Sequence, residues 1–309
     1  MKRGLKILKR AGLTVLMLTA LLAVTVSFRQ NLKFDAPYPA IQASSDTAVI
    51  SWGKHLVYSA AHCADCHSKA NADSLIALGE EVPLSGGVAF KLPLGTLYSA
   101  NITSDPVYGI GKYTDQGIAR VLRYGVHPNG EAVYDFMPFH NISDKDLTAV
   151  ISYLRTQKPA AVPKPANELN VAGKIVKAFL VKPVGPSEKI ETVVVPDSSA
   201  AYGRYLVLNV GNCSGCHTKR SISGAYTGEL LAGGNPIEGV TPPNLTPAKG
   251  ERLSLWSEQM FLNRFRQGKL NPKSEMPWSS FKRMSDLELK AIYRYLKTLQ
   301  PVETKKLEE

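Results

Sequence analysis

A chain of 309 residues is long enough for two domains. Its 37 Lys and Arg outnumber 26 Asp and Glu, giving a net charge of +11. That excess sits in residues 1–50 and 201–309 while residues 51–160 are close to neutral, so the total is no nucleic-acid signal and no nucleic-acid partner is expected.

Residues 1–34 read as a targeting segment. Lys2, Arg3, Lys6, Lys9 and Arg10 form a basic start, an uncharged run spans Ala11 to Phe28, and Arg29 and Lys33 end it. A run of 18 residues is at the short edge of a membrane span. No small-x-small cleavage site follows, which favours an uncleaved transmembrane anchor over a cleaved signal peptide. In either case the basic end stays in the cytoplasm and the body is exported. No cysteine near the start is available for a lipid anchor.

Residues 48–160 form the first domain in this reading. Trp52-Gly53-Lys54-His55-Leu56-Val57 has the spacing of a short helix, and Cys63-Ala64-Asp65-Cys66-His67 follows. Cysteines at i and i+3 of a helical turn share a face, and a histidine at i+4 joins them. That geometry lets two sulfurs form thioethers with the two vinyl groups of a haem while the imidazole meets the iron. Cys-x-x-Cys-His is the attachment signature of c-type haem. A zinc site or a redox dithiol also uses Cys-x-x-Cys, but neither needs the following histidine. Downstream come Leu84-Ser85-Gly86-Gly87, Asn101-Ile102-Thr103, an amphipathic stretch from Gln116 to Tyr124 closed by Gly125, and Met137-Pro138. Ser143 then caps a last helix, with Asp146 three residues on.

Residues 161–197 form a linker broken by Pro163, Pro165, Pro183, Pro186 and Pro196, with one possible helix from Val171 to Lys182. Residues 198–302 then repeat the first pattern. Tyr202-Gly203-Arg204-Tyr205-Leu206-Val207 precedes Cys213-Ser214-Gly215-Cys216-His217. Leu231-Ala232-Gly233-Gly234, Asn244-Leu245-Thr246, the stretch Glu258 to Gln267 closed by Gly268, Met276-Pro277 and a helix after Ser285 with Glu288 follow in the same order. Almost nothing alternates as a strand would. The expected fold is all-α: two tandem haem domains joined by a Pro-rich linker, behind an N-terminal transmembrane helix.

The cofactors expected are two covalently bound haem c groups, on Cys63 and Cys66 and on Cys213 and Cys216. All four cysteines are then used, so structural disulfides are not expected. His67 and His217 are the proximal ligands. Met137 and Met276, in matching loops before each last helix, are the candidates for the opposite side of the iron, where a thioether raises the potential. The alternative is a methionine that fills a core gap. Two closed sites suit electron transfer rather than catalysis. Met260 reads as core, and His140 as surface or as a contact to a haem propionate. Arg123 and Arg266 either bond propionates or lie on the surface, and Tyr98, Asn101 and Asn244 are weaker propionate candidates. Four propionates would offset part of the basic charge. Its asymmetry could steer partners to different haems, the plain alternative being a solvated surface.

Asn101-Ile102-Thr103-Ser104-Asp105-Pro106, Gly109-Ile110-Gly111-Lys112-Tyr113-Thr114-Asp115, Arg123-Tyr124-Gly125-Val126, Met137-Pro138 and Cys216-His217-Thr218-Lys219-Arg220 resemble the cytochrome c subunits of membrane-bound bacterial alcohol, aldehyde and gluconate dehydrogenases. The resemblance covers residues 50–302. Those subunits usually carry three haem motifs, and this chain has two. The resemblance implies histidine and methionine axial ligands, here His67 with Met137 and His217 with Met276. It implies a non-enzymatic electron carrier in the bacterial inner membrane, its soluble domains in the periplasm. Redox partners would be a dehydrogenase subunit, a quinol-linked complex or a small cytochrome. The runner-up is a dihaem enzyme such as a peroxidase or a thiosulfate dehydrogenase.

Overall fold

The computed structural model describes residues 2–69, 72–137, 139–221, 224–237 and 239–304. Pro138, half of the first Met-Pro pair, lies outside them. The order is α1 (Lys2–Arg29), α2 (Thr47–Tyr58), α3 (Cys63–His67), α4 (Asp73–Ala77), β1 (Ala89–Leu92), β2 (Gly95–Tyr98), α5 (Asp115–Tyr124), α6 (Asp144–Thr156), β3 (Glu168–Leu169), α7 (Val171–Phe179), α8 (Ala200–Tyr205), α9 (Cys213–His217), α10 (Arg252–Leu255), α11 (Glu258–Arg266), α12 (Trp278–Phe281) and α13 (Asp286–Thr298). The chain is helix-rich, and its two halves share a first helix, a Cys-x-x-Cys-His turn, an amphipathic helix and a last helix in the same order.

Capping side chains start the longer helices of both halves. Asp46, Thr114, Ser143, Ser257 and Ser285 each accept a bond from a backbone N–H in the following turn. Ser285 and Glu288 complete a reciprocal capping box. Gly125 ends α5 in the left-handed conformation, where a side chain would be strained.

Each half closes by crossing its first helix on its last: α2 on α6, and α8 on α13. The crossings are made at glycine. A Cβ on Gly53 would lie 1.8 Å from the Ala149 carbonyl oxygen, and one on Gly203 would lie 1.9 Å from that of Ala291. Around them Leu56, Val57, Leu147, Ile151, Leu206, Val207, Leu289 and Leu296 are fully or almost fully buried. One continuous hydrophobic core runs through both halves.

Strand is scarce, as expected, but one small sheet is present. β1 and β2 form an antiparallel hairpin with Ala89 opposite Tyr98, and Glu168–Leu169 adds a third strand beside β2. No residue of β1 is buried, so burial imposed no two-residue alternation for a sequence reading to find. The segment between the halves is also more than a spacer. Asn170 caps α7 and donates to the Pro93 carbonyl, which fastens the segment to the first half.

Residues 30–46 lie along the first half. The Phe34 N–H donates to the Gly130 carbonyl (2.8 Å), that of Ala43 to the Asp115 carboxylate (2.8 Å) and that of Ser44 to the Ser152 hydroxyl (2.8 Å). The Arg120 guanidinium, 4% exposed, donates to the Tyr38 hydroxyl and stacks over its ring.

The halves meet through a contact made twice. His55 on α2 bonds both carboxylate oxygens of Glu288 on α13 (2.9 Å each), and Glu288 is 1% exposed. Tyr205, which stands where His55 stands in the repeat, donates to Asp146 on α6 (2.6 Å), also buried. Trp52 donates to the other oxygen of Asp146 (2.6 Å). Reciprocity of this kind is what a two-fold relation between the halves requires. Ser280 also bonds Asp65, and the Arg283 guanidinium lies 4.9 Å over the Tyr58 ring.

Gly53→Ala should destabilise the chain by about 1–3 kcal/mol or unfold it, because the added carbon forces two backbones apart. Gly12→Ala, with nothing within 4 Å of the added carbon, should leave stability unchanged in the same denaturant titration. His55→Ala should cost about 1.5–3 kcal/mol, since Glu288 keeps its Ser285 bonds but loses its charge-assisted partner. Burial works to raise the Glu288 pKa, but the bond to His55 and its neighbours holds it below the ordinary 4.5. A depressed carboxylate stabilises above its ordinary pKa and ceases to as pH falls through the folded value. Unfolding measured against pH should therefore show this contribution intact at neutral pH and lost on acidification below 4.5.

Candidate haem-binding sites

The two Cys-x-x-Cys-His motifs form single helical turns of the same shape. Each follows a residue in the left-handed region, His62 at φ 39° and Asn212 at φ 49°. Before each turn, the chain closes a wide loop from the N–H of Ala61 to the Leu56 carbonyl and from that of Gly211 to Leu206. In the second half this is a π-helical stretch over Leu206–Val210. The tight re-entry puts Cys63, Cys66 and His67 on one face of the turn, with Ala64 packed inside; Cys213, Cys216 and His217 repeat it.

Each motif histidine is aimed by a backbone carbonyl. His67 Nδ1 lies 2.7 Å from the Ala100 carbonyl oxygen, and His217 Nδ1 lies 2.8 Å from that of Pro243. A carbonyl only accepts, so Nδ1 carries the proton and Nε2 presents its lone pair. Burial pulls both imidazoles below the ordinary 6.5, against the opposing pull of the carbonyl bond, so they are neutral at pH 7. A neutral imidazole with its second nitrogen tied to a carbonyl is the form that ligates a metal.

The histidine backbones and the loops that carry the aiming carbonyls are held in turn. Gly86 and Gly233 donate to the carbonyls of His67 and His217 (2.7 Å each). A Cβ on Gly86, at φ 65°, would lie 2.3 Å from the Ala100 carbonyl. Asn101 then fixes the loop by accepting from the Thr103 N–H and donating to the Ala160 and Val162 carbonyls. Asn244 does the same with Thr246 and Val302. These asparagines are therefore latches between the histidine loop and the chain beyond each last helix, not free propionate donors. Tyr98 is likewise engaged, its hydroxyl facing Glu168 at 3.4 Å.

The cysteines sit in an environment unlike that of a reactive dithiol. Burial, reinforced by the neighbouring thiol of each pair, pushes Cys63 and Cys213 up to about 12. Burial with Asp65 and Cys216 nearby pushes Cys66 up to about 11. Redox dithiols and zinc thiolates need the opposite shift. Among the described residues, no three His, Cys, Asp or Glu side chains converge as a metal cluster. The sulfurs and imidazoles fit covalent haem with a histidine-held iron.

Met137 and Met276 are partly buried against the same core as Cys63 and Cys213. Their loops match: Phe139 donates to the Met137 carbonyl and Trp278 to the Met276 carbonyl. Met137 lines a small cavity with Val121, Gly125, Val133 and His140. Met260 corrects its sequence reading: it is 50% exposed, because α11 buries Phe261, Leu262 and Phe265 and residue 260 falls off that stripe. His140 is buried, its Nδ1 on the Arg123 carbonyl and its Nε2 on Asp135 (3.0 Å), so it is neither a surface group nor free for a propionate.

The two arginines are helix braces. Buried Arg123 pairs with Asp144 and donates to the Ile142 carbonyl (2.7 Å). Arg266 donates to Asp286 (2.6 Å) and the Lys282 carbonyl (2.7 Å). Both acids open the last helix of their half, where a carboxylate also favours the helix dipole. An acid directly after each capping serine was the available sequence signal for this pairing.

No family model matches the chain. The cytochrome c subunit of the gluconate 2-dehydrogenase of Pantoea cypripedii is 30% identical over 289 residues, 82% of this chain and 60% of that protein. The cytochrome c subunit of the quinone-dependent alcohol dehydrogenase of Gluconobacter oxydans is 30% identical over 281 residues, 84% and 56% respectively. A diheme cytochrome c-type protein of Cereibacter sphaeroides is 32% identical over 206 residues, 62% of this chain and 66% of that protein. The chain thus spans less than two thirds of the length of the dehydrogenase subunits it matches. Matched attachment turns, carbonyl-aimed histidines and this likeness over most of its length place the chain among the c-type cytochromes, as a homologue of dehydrogenase cytochrome c subunits.

Proposed function

We propose that the chain is a membrane-anchored dihaem cytochrome that carries electrons on the periplasmic side of a bacterial inner membrane and has no substrate of its own. The observation that carries this reading is the duplicated histidine geometry: two buried, neutral imidazoles, each with Nδ1 on a carbonyl and Nε2 bare. Haem supplies an iron that cycles between ferric and ferrous states.

In this reading Cys63, Cys66, Cys213 and Cys216 hold two haems, in domains spanning residues 48–160 and 198–302 with a linker at 161–197. His67 and His217 would hold the irons, with Met137 and Met276 as the second protein ligands. The electron donor is a dehydrogenase subunit or a quinol-linked complex, and the acceptor a further redox protein such as a small cytochrome. The names of the related dehydrogenase subunits support a partner of this class. The uncharged 18-residue stretch from Ala11 to Phe28, of mean hydropathy 2.1 with none of it buried, supports anchoring. At 1.5 Å per residue that stretch is about 27 Å long, close to the roughly 30 Å of a hydrocarbon core. The basic residues ahead of it support a cytoplasmic start.

Two measurements test the reading. Intact mass should show two haems on the chain and one on the Cys63→Ser/Cys66→Ser variant; a single haem on the unaltered chain would contradict it. The oxidised protein should show methionine–iron charge-transfer absorption from both sites. Met137→Ala and Met276→Ala should each remove one contribution and lower one midpoint potential. An unchanged spectrum in either variant would assign that methionine to packing.

A further inference from the structure

The helix between the two halves has an apolar face that neither half covers. On α7, Val171, Ile175 and Phe179 follow one another at helical spacing, and Leu180 adjoins them. Val171 is 75% exposed and Leu180 54%. The rest of α7 is fastened: a Cβ on Gly173 would meet the Leu94 carbonyl oxygen at 2.0 Å, and Ala178 is buried.

The place of this face is set by α1. Arg29, the last residue of α1, donates from Nε to the Ala178 carbonyl (2.9 Å), and its guanidinium lies 5.1 Å over the Phe179 ring. The Gln30 side chain donates to the Lys174 carbonyl (2.8 Å). α7 is thus joined to the point where the long apolar helix ends. Lys174 on α7 and Lys182 just beyond it add exposed positive charge, while half-buried Lys177 faces Glu131 of the first half. A short helix with one apolar face and lysines beside it is suited to the headgroup boundary of a bilayer.

We propose that α7 lies in the surface of the bilayer that α1 crosses, with Val171, Ile175, Phe179 and Leu180 among the upper acyl chains and Lys174 and Lys182 toward anionic phosphates. The proposal rests on the reading of α1 as transmembrane. With residues 30–46 laid along the first half, a second membrane contact fixes the tilt of the cytochrome against the membrane.

The test uses the full, haem-loaded chain in phosphatidylcholine–phosphatidylglycerol vesicles. Nitroxide labels are placed singly through Val171→Cys, Ile175→Cys, Leu18→Cys in α1 and Lys249→Cys on the exposed surface of the second half. Collisions with oxygen and with a water-soluble nickel chelate report depth. The labels at 171 and 175 should be several-fold more shielded from nickel than the label at 249, and shallower than the label at 18. A deep label at 18 with nickel-accessible labels at 171 and 175 would overturn the proposal, leave the anchor standing and assign the face to a protein partner. A nickel-accessible label at 18 would remove the anchor and the proposal together.

Discussion

Two helices whose backbones touch at a glycine hold each half of this molecule together. At Gly53 and Gly203 the first helix comes so close to the last that no side-chain carbon fits between them. That crossing fixes where α2 ends, and therefore where the sharp turn into Cys63-Ala64-Asp65-Cys66-His67 can begin. It also fixes the start of the last helix, whose first acid is gripped by Arg123 or Arg266. The Met loop lies between the braced segments. The candidate haem residues are thus spread over a long stretch of chain, yet all hang from one rigid junction.

From that junction outward the site is built largely of backbone. The imidazoles are turned by carbonyls, the histidine backbones are tied by glycine N–H groups, and the carbonyl loops are latched by Asn101 and Asn244. Backbone groups have no rotamer freedom of their own, so a ligand aimed this way is oriented before any metal arrives. Long irregular loops in a small domain need such fastenings, because they lack the repeating bonds of helix or sheet.

Much of this was legible in the sequence. The duplicated Cys-x-x-Cys-His turns, the caps at Ser143 and Ser285 and the glycine that ends α5 are local devices whose residues lie within a few positions of their partners. The misses share a different cause. The β1–β2 hairpin has little buried face to create an alternating pattern. Met260 sits one step off a buried stripe and looks core-like only if the stripe is drawn too wide. His140 and Arg123 find their partners Asp135 and Asp144 across irregular chain, where no periodic pattern marks a pairing. His55 finds Glu288 at a separation of 233 residues, which no local pattern encodes.

That distant pair carries a further meaning. A contact made twice across a two-fold is the contact two identical chains would make, and here one chain makes it with itself. Joining the partners removes the concentration dependence of a dimer and also its demand for identity. One copy of the contact is a histidine on a glutamate, the other a tyrosine on an aspartate. A duplicated gene can alter either copy alone, whereas in a homodimer every substitution would appear on both sides at once. Within a single chain the two ends of such a pair are therefore free to differ.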